Sequence, residues 1–443
     1  MKITTSSHTL SGSITVPGSK SHTIRALILA AMAEGTSKIH NPLPSADCQS
    51  AANAIPLMGA HVNFGNAQNS DTSVVNDTWT VRGAGKNLHL PENVVNVNNS
   101  GSTLYFLTPV AACFKGWSVF TGDESICKRP VAHMTDMLEQ LGAQTQITRP
   151  DCNAPPLLVR GPIKAGHVTT DGRLSQYITG MMMAATLLEG TTSFNLTDPK
   201  ETPYLTMTKM WLNRVGVSVD MSEDFTKISV KGPQQIKAFD TTIPSDWEAV
   251  AFPLIAALIS KDSKITIENI DVSGSQGDDA VVEILQGVGA DIRLNKEKQT
   301  LTVLGSKKLQ GDSTIKMGGF PDAICALSVI ACFIDGTTTF TDIAICRSKE
   351  TDRIKVMTEE LSKLGADIKD CGETLVIKGS RILHGGTVQC YGDHRVAMAL
   401  ACAGLGLPKG QSITVNGAEC CAVSFPHFIE TMNSLGAQID GDC

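Results

Sequence analysis

Apolar and polar positions along this chain follow a short script that repeats. A stretch of apolar residues at helical spacing ends on a Leu-Gly-Ala-like block, and short β-branched runs follow it. The blocks read Leu57-Met58-Gly59-Ala60, Leu141-Gly142-Ala143, Val215-Gly216-Val217, Val288-Gly289-Ala290, Leu364-Gly365-Ala366 and Leu435-Gly436-Ala437. Their glycines stand roughly 70–85 residues apart, which marks one supersecondary unit used six times.

The unit around Gly365 predicts every element. A helical stretch opens at Pro321-Asp322 and runs toward Gly336, and the β-branched run Thr337–Thr341 reads as a strand. A second helix is expected from Glu350, with Ile354, Met357, Leu361 and Leu364 on one face. Gly365 suits the left-handed residue that closes a helix. Two short strands, residues 366–368 and 374–379, complete a βαβαββ unit with two helix N-termini.

The first helices of the other units are expected near Ser19-Lys20-Ser21, Asn99-Ser100-Gly101-Ser102, Asp171-Gly172-Arg173, Ser245-Asp246 and Gly392-Asp393-His394-Arg395. Their second helices begin near Asp47, Arg129-Pro130, Pro203-Tyr204, Asp278-Asp279 and Ser424-Phe425-Pro426. The sixth unit runs out at Cys443 before its last strand, and Ser13-Ile14-Thr15-Val16 is expected to supply that strand. At 443 residues the chain exceeds one ordinary core, so six units divide as three plus three. The expected domains are residues 1–18 with 244–443, and residues 19–243.

Composition narrows the partners. The net charge of −7 argues against nonspecific nucleic-acid or anionic-membrane binding. No apolar run is long enough to span a bilayer and Met1–Ser6 has no signal-like character, so cytoplasmic residence is expected. Thirteen cysteines without a Cys-x-x-Cys pair, several in apolar stretches (Cys113, Cys325, Cys332, Cys402), read as reduced small hydrophobes. The adjacent Cys420-Cys421 pair is left unexplained. No His, Cys and carboxylate group has metal-ligand spacing.

Charged residues collect at the helix starts, where unsatisfied amides and the helix dipole favour anions. Lys20 and Arg25, Lys128-Arg129, Arg173, Lys349 with Arg353, and Arg395 all lie there. One basic helix start is usually a solvated end, but several equivalent ones in an acidic chain suit a small polyanion. Asp322, Glu350 and Asp393 in that company point to proton transfer, with N-capping as the plainer role for Asp322 and Asp393. Gly18-Ser19-Lys20-Ser21 lacks the earlier glycine of a P-loop, and no Gly-x-Gly-x-x-Gly follows a strand.

These segments together resemble the enolpyruvyl transferases, and within them the 5-enolpyruvylshikimate-3-phosphate synthase family, over essentially the whole chain. The anchors are Pro17-Gly18-Ser19-Lys20-Ser21 with Arg25, Arg129-Pro130, Ser175-Gln176, Pro321-Asp322, the run Arg347-Ser348-Lys349-Glu350-Thr351-Asp352-Arg353, and Asp393-His394-Arg395. The resemblance implies an inside-out α/β barrel in two domains, with helix starts facing a cleft that closes over the substrates. It implies that Lys20, Gly101, Arg129, Gln176, Arg353 and Arg395 bind phosphoenolpyruvate. Lys20, Ser21, Arg25, Ser175, Gln176, Tyr204, Asp322 and Lys349 would bind shikimate-3-phosphate, and Lys20, Asp322 and Glu350 would be catalytic. The reaction it implies belongs to the shikimate pathway and needs no metal or organic cofactor; a monomer is expected.

Four positions depart from the family pattern. The paired serines before Gln176 are reduced to Leu174-Ser175, and a serine two residues before Pro203 is Glu201. An arginine after the Asn99 segment is Tyr105, and a lysine near the C-terminus is Val423. Leu174 and Glu201 fall where the resemblance puts the acceptor's 3-phosphate, and Arg173 is a candidate to offset the glutamate. A related enzyme on the same scaffold with a non-phosphorylated, shikimate-like acceptor is therefore the alternative. The UDP-N-acetylglucosamine branch is disfavoured, because Glu124 stands where its catalytic cysteine would be.

Overall fold

The six block glycines adopt one conformation: Gly59, Gly142, Gly216, Gly289, Gly365 and Gly436 all have φ between 88° and 98°. An L side chain is strained there, which is why glycine recurs at the end of each second helix. In the computed structural model, which describes residues 1–65, 78–305, 307–379 and 382–442, each repeat builds one four-stranded sheet.

All six described sheets share one topology. Two strands run parallel, and two antiparallel strands follow. In the fifth repeat Ser313–Lys316 pairs parallel with Thr337–Thr341, which is antiparallel to Leu375–Lys378, which is antiparallel to Asp367–Asp370. The parallel pair is joined through the repeat's first helix, as a parallel connection requires.

Three sheets borrow a strand from a distant part of the chain. The first repeat takes Asp240–Thr242, parallel to Lys38–His40. The fourth takes Ser11–Thr15, parallel to Lys264–Glu268. The sixth is completed by Lys2–Ser6, antiparallel to both Ser412–Asn416 and Asp440–Asp442. The expected donor, Ser13–Val16, is therefore corrected: that stretch opens the fourth sheet, and the strand before it closes the sixth. Cys443 lies outside the described residues.

The chain divides into a first unit, Met1–Pro17 with Pro244–Cys443, and a second, Gly18–Ile243. Gly18 was expected in the first and falls in the second. An added Cβ there would stand 2.2 Å from the Asn41 carbonyl and 3.2 Å from Ile243, both in that unit.

Within each unit the first helices of the three repeats are nearly all buried. In the first unit Trp247–Ile259, Ile324–Ala331 and His394–Ala403 pack on one another, and their apolar side chains form the core. The second unit buries Lys20–Met32, Gly101–Ala111 and Ser175–Ala185 in the same way. Helices inside and sheets outside make this an inside-out α/β fold. The second helices are two-faced: in Arg353–Lys363, Ile354, Met357 and Leu361 are buried while Lys355 and Lys363 are not.

Among the described residues the cysteines are free thiols, and Cys48, Cys325, Cys332, Cys346, Cys390, Cys402 and Cys421 are buried. No described helix is long and apolar enough to cross a membrane.

Candidate active site

The first unit gathers its charged side chains where helices begin. Asp393 caps the helix His394–Ala403, its Oδ1 accepting the Arg395 amide at 2.9 Å. Its other oxygen accepts Arg353 Nε at 2.8 Å and the Thr351 hydroxyl at 3.1 Å. Asp322 lies in the turn Pro321–Ala323, and the cap positions of that turn and of the helix after it are Phe320 and Ala323. Its carboxylate instead accepts Arg353 Nη1 at 2.5 Å and Lys349 Nζ at 3.3 Å, with Arg395 Nε at 3.5 Å. So the plainer capping role holds for Asp393 and not for Asp322.

Arg353 is fully buried, and Glu350 Oε2 accepts its Nη2 at 2.5 Å. Burial alone would lower this guanidinium's pKa, but the carboxylates of Asp393, Glu350 and Asp322 outweigh it and hold the value well above the ordinary one. Arg395, also buried, pairs with Glu248 in the first turn of Trp247–Ile259. Three cations and four carboxylates thus share one network drawn from all three repeats of the unit.

The helix expected from Glu350 starts at Arg353, because Asp352 is the cap: its Oδ1 accepts the Lys355 amide at 3.0 Å. Glu350 therefore sits in the preceding turn, about a quarter exposed. That turn is pinned by Arg347, which forks onto Asp370 at 2.7 and 2.9 Å and reaches the Gly372 carbonyl at 2.8 Å.

The second unit holds the other candidates. Lys20 is the first residue of its helix and pairs with the buried Asp47 at 3.3 Å. Arg129 lies over Gly101, where an added Cβ would stand 2.6 Å from Nη1, so only glycine lets the guanidinium approach the helix start. The Arg129-Pro130 turn is clamped by the Tyr105 and Tyr177 hydroxyls, which both donate to the Pro130 carbonyl at 3.2 and 2.7 Å. Tyr105, one of the four departures, thus positions this turn. Gln176 Nε2 donates to Ser102 Oγ at 3.0 Å and ties two helix starts together.

Arg25 is buried, and its guanidinium donates to Thr208 Oγ1 at 3.0 Å, the Ser21 carbonyl at 2.9 Å and the Tyr204 carbonyl at 3.2 Å. Burial pushes it down to about 10, against the opposing pull of Tyr204 and the Glu201 carboxylate. Arg173 does not offset Glu201: it is 66% exposed and pairs with Asp198 at 3.2 Å and Asp171 at 3.8 Å. Ser175 and Tyr204 are buried beside Glu201; the Ser175 hydroxyl donates to its carboxylate at 2.9 Å.

Lys20 and the pair Asp322 and Glu350 belong to different units, so the three acid–base candidates are divided between the two halves of the chain. Two carboxylates that pair with the candidate cations were not picked out from the sequence, Glu248 and Asp47. Both lie in the first turn of a repeat helix, the register that carries Lys20 and Arg395, and that equivalence was the available signal.

A buried network of arginine, lysine and carboxylate at helix starts suits an enzyme that acts on anionic substrates. A profile of EPSP synthase (3-phosphoshikimate 1-carboxyvinyltransferase) matches residues 4–432. A 3-phosphoshikimate 1-carboxyvinyltransferase of Ruminiclostridium cellulolyticum is 38% identical over 431 residues, 97% of each chain. Its counterpart in Methanocaldococcus jannaschii is 36% identical over 435 residues, again 97% of each. Among solved structures, EPSP synthase from Acinetobacter baumannii superposes with a TM-score of 0.82 at 28% identity, covering 99% of both chains. The enolpyruvyl transferase NikO from Streptomyces tendae shares the fold, with a TM-score of 0.78 at 17% identity over 99% of this chain and 98% of that one. This chain belongs to the EPSP synthase family.

Proposed function

We infer that this chain transfers the enolpyruvyl group of phosphoenolpyruvate to the 5-hydroxyl of shikimate-3-phosphate and releases phosphate. The relatives that share more than a third of their residues over almost the full length carry the name of that reaction. In the structure the reading rests chiefly on the network of Asp322, Lys349, Glu350, Arg353, Asp393 and Arg395, which offers fixed cations beside carboxylates.

The chemistry assigns each group a task. The acceptor's 5-oxygen bonds to C2 of phosphoenolpyruvate as C3 takes a proton, giving a tetrahedral intermediate. Phosphate then leaves C2 while C3 returns a proton, restoring the double bond. Arg353, Arg395 and Arg129 are suited to carboxylate and phosphate oxygens, because a guanidinium meets two oxygens at once and keeps its charge when buried. Lys20, Gly101 and Gln176 complete the phosphoenolpyruvate set. Glu350 is the proton carrier of choice at C3, since it is partly exposed and lies beside Arg353. Asp322, bridging Lys349, Arg353 and Arg395, and Lys20 are the candidates for taking the hydroxyl proton. Ser21, Arg25, Ser175, Gln176, Tyr204 and Lys349 form the acceptor set, with Arg25 acting chiefly as a buried brace for Ser21 and Tyr204. The enzyme works as a cytoplasmic monomer in this reading.

The test is phosphate release from phosphoenolpyruvate with shikimate-3-phosphate, against each substrate alone. Release with both and with neither alone is expected. Absence of release with both sinks the reading.

A further inference from the structure

Outside the charged network, the sixth repeat brings two thiols together. Cys390 follows the strand Gly386–Gln389, and Cys420 lies in the turn Ala418–Val423. Their sulfurs stand 3.7 Å apart, although 30 positions separate them in the chain. Cys390 is buried and Cys420 half-buried, so a small solute reaches Cys420 first. Each thiol sits on a segment that other contacts hold. Glu360, fully buried, accepts the Gln389 amide and the Tyr391 hydroxyl, both at 3.0 Å. The Met1 carbonyl accepts the Gly417 and Ala418 amides at 3.0 and 3.2 Å. Cys390 also touches the charged network, because its carbonyl accepts the Asp393 amide at 3.0 Å and Asp393 holds Arg353.

We propose that Cys390 and Cys420 are a redox site, which a peroxide closes to a disulfide that loosens the helix start at Asp393 and slows turnover. The Cys420 sulfur attacks one peroxide oxygen. The O–O bond breaks, a sulfenic acid forms, and the other oxygen leaves as water with the Cys420 proton. The Cys390 sulfur then attacks the Cys420 sulfur. The S–S bond forms, the S–O bond breaks, and the hydroxyl leaves as a second water with the Cys390 proton. Two thiols are oxidised and one peroxide is reduced, and a dithiol reverses the step by exchange. Disulfide sulfurs stand about 2.0 Å apart, so Cys390 gives up its place against the Asn416 and Gly417 carbonyls, which its S–H meets at 3.1 Å. The bond from the Asp393 amide to the Cys390 carbonyl is the next one strained. The effect on turnover rests on the reading above that the Asp393 network serves the reaction.

The test treats the reduced enzyme with a modest excess of hydrogen peroxide and maps its cysteine peptides by mass, before and after dithiothreitol. A Cys390–Cys420 link that dithiothreitol removes is expected. Amide exchange at Asp393 and Arg395 should speed up, and phosphate release should slow, each at least about threefold and each restored by reduction. Cys420→Ser and Cys420→Ala, with thermal melts to confirm folding, should form no such link and keep the reduced parent's exchange and turnover under peroxide. Oxidised enzyme without the Cys390–Cys420 link, for example with Cys420 joined to Cys421 or Cys371, overturns the proposal. So does a linked enzyme whose exchange at Asp393 or turnover stays within about 1.5-fold of the reduced form. If the reduced parent releases no phosphate, the functional reading falls, and the link and the exchange still decide the redox site.

Discussion

Arg353 shows how much a single side chain organises here. It has no exposed surface, and Asp322, Glu350 and Asp393 surround it, so it remains charged under all ordinary conditions. Removing such a group would strand three carboxylates and break the fold locally, at a cost of about 3–5 kcal/mol. Glu350 is the informative substitution instead. Glu350→Gln keeps an oxygen for Arg353 and removes the exchangeable proton. It is expected to lower kcat about 10²–10⁴-fold, with the melting temperature within a few degrees of the parent. A variant within about twofold of the parent removes Glu350 from the proton path.

At this scale the sequence was partly legible. Glu350, Arg353 and Arg395 stood out because charge at a helix start needs a reason. Glu248 and the bond from Ser175 to Glu201 did not, because those partners are far apart in the chain and only tertiary packing brings them together.

Among the elements, the turn before Arg353–Lys363 is held from outside by the Arg347 and Asp370 pair. The hydrogen bonds from Arg347 hold Asp370 below the usual carboxylate range. A depressed folded value means stability that is present above the unfolded value of about 3.9 and lost as pH falls through the folded one. Asp370→Asn should therefore be about 1 kcal/mol less stable at pH 7, and the difference should vanish in strong acid, as followed by urea melts. An equal difference at both pH values would contradict this assignment.

The helices Gly101–Ala111 and Ser175–Ala185 meet at Gly180, where an added Cβ would stand 2.1 Å from the Tyr105 carbonyl. Gly180→Ala should cost about 1–3 kcal/mol in a chemical melt. It should also raise KM for phosphoenolpyruvate, because Tyr105 and Tyr177 hold the Arg129-Pro130 turn. Helices and closing glycines were readable from periodicity. Helix starts were readable only within a few residues, since Asp352 and Glu350 are both plausible caps and the choice is made by which carboxylate Arg353 recruits.

Across the whole molecule the N-terminus does more than complete one repeat. Lys2–Ser6 lies between two strands of the sixth sheet, and Ser11–Thr15 forms the edge of the fourth. The alternation of small polar and apolar residues is alike in both stretches, so local pattern did not tell which sheet each joins; long-range pairing decides it. Deleting residues 1–7 should leave Ser412–Asn416 and Asp440–Asp442 without their shared neighbour. The truncated chain is expected to lose the cooperative melt of the first unit while tryptophans in the second, Trp79 and Trp211, stay buried. Full activity in that truncation would contradict the sheet assignment.

One reaction in D2O decides whether the chain carries out enolpyruvyl transfer by addition and elimination. Phosphoenolpyruvate and shikimate-3-phosphate are incubated with the enzyme, and the organic product is analysed by mass and proton spectra. Addition puts a solvent deuteron on C3, and elimination removes one of the three hydrogens then present. The expected product bears an enolpyruvyl ether at the 5-oxygen with deuterium in its methylene group, and Glu350→Gln is expected to suppress both. No ether product, or an ether without deuterium, would contradict that route.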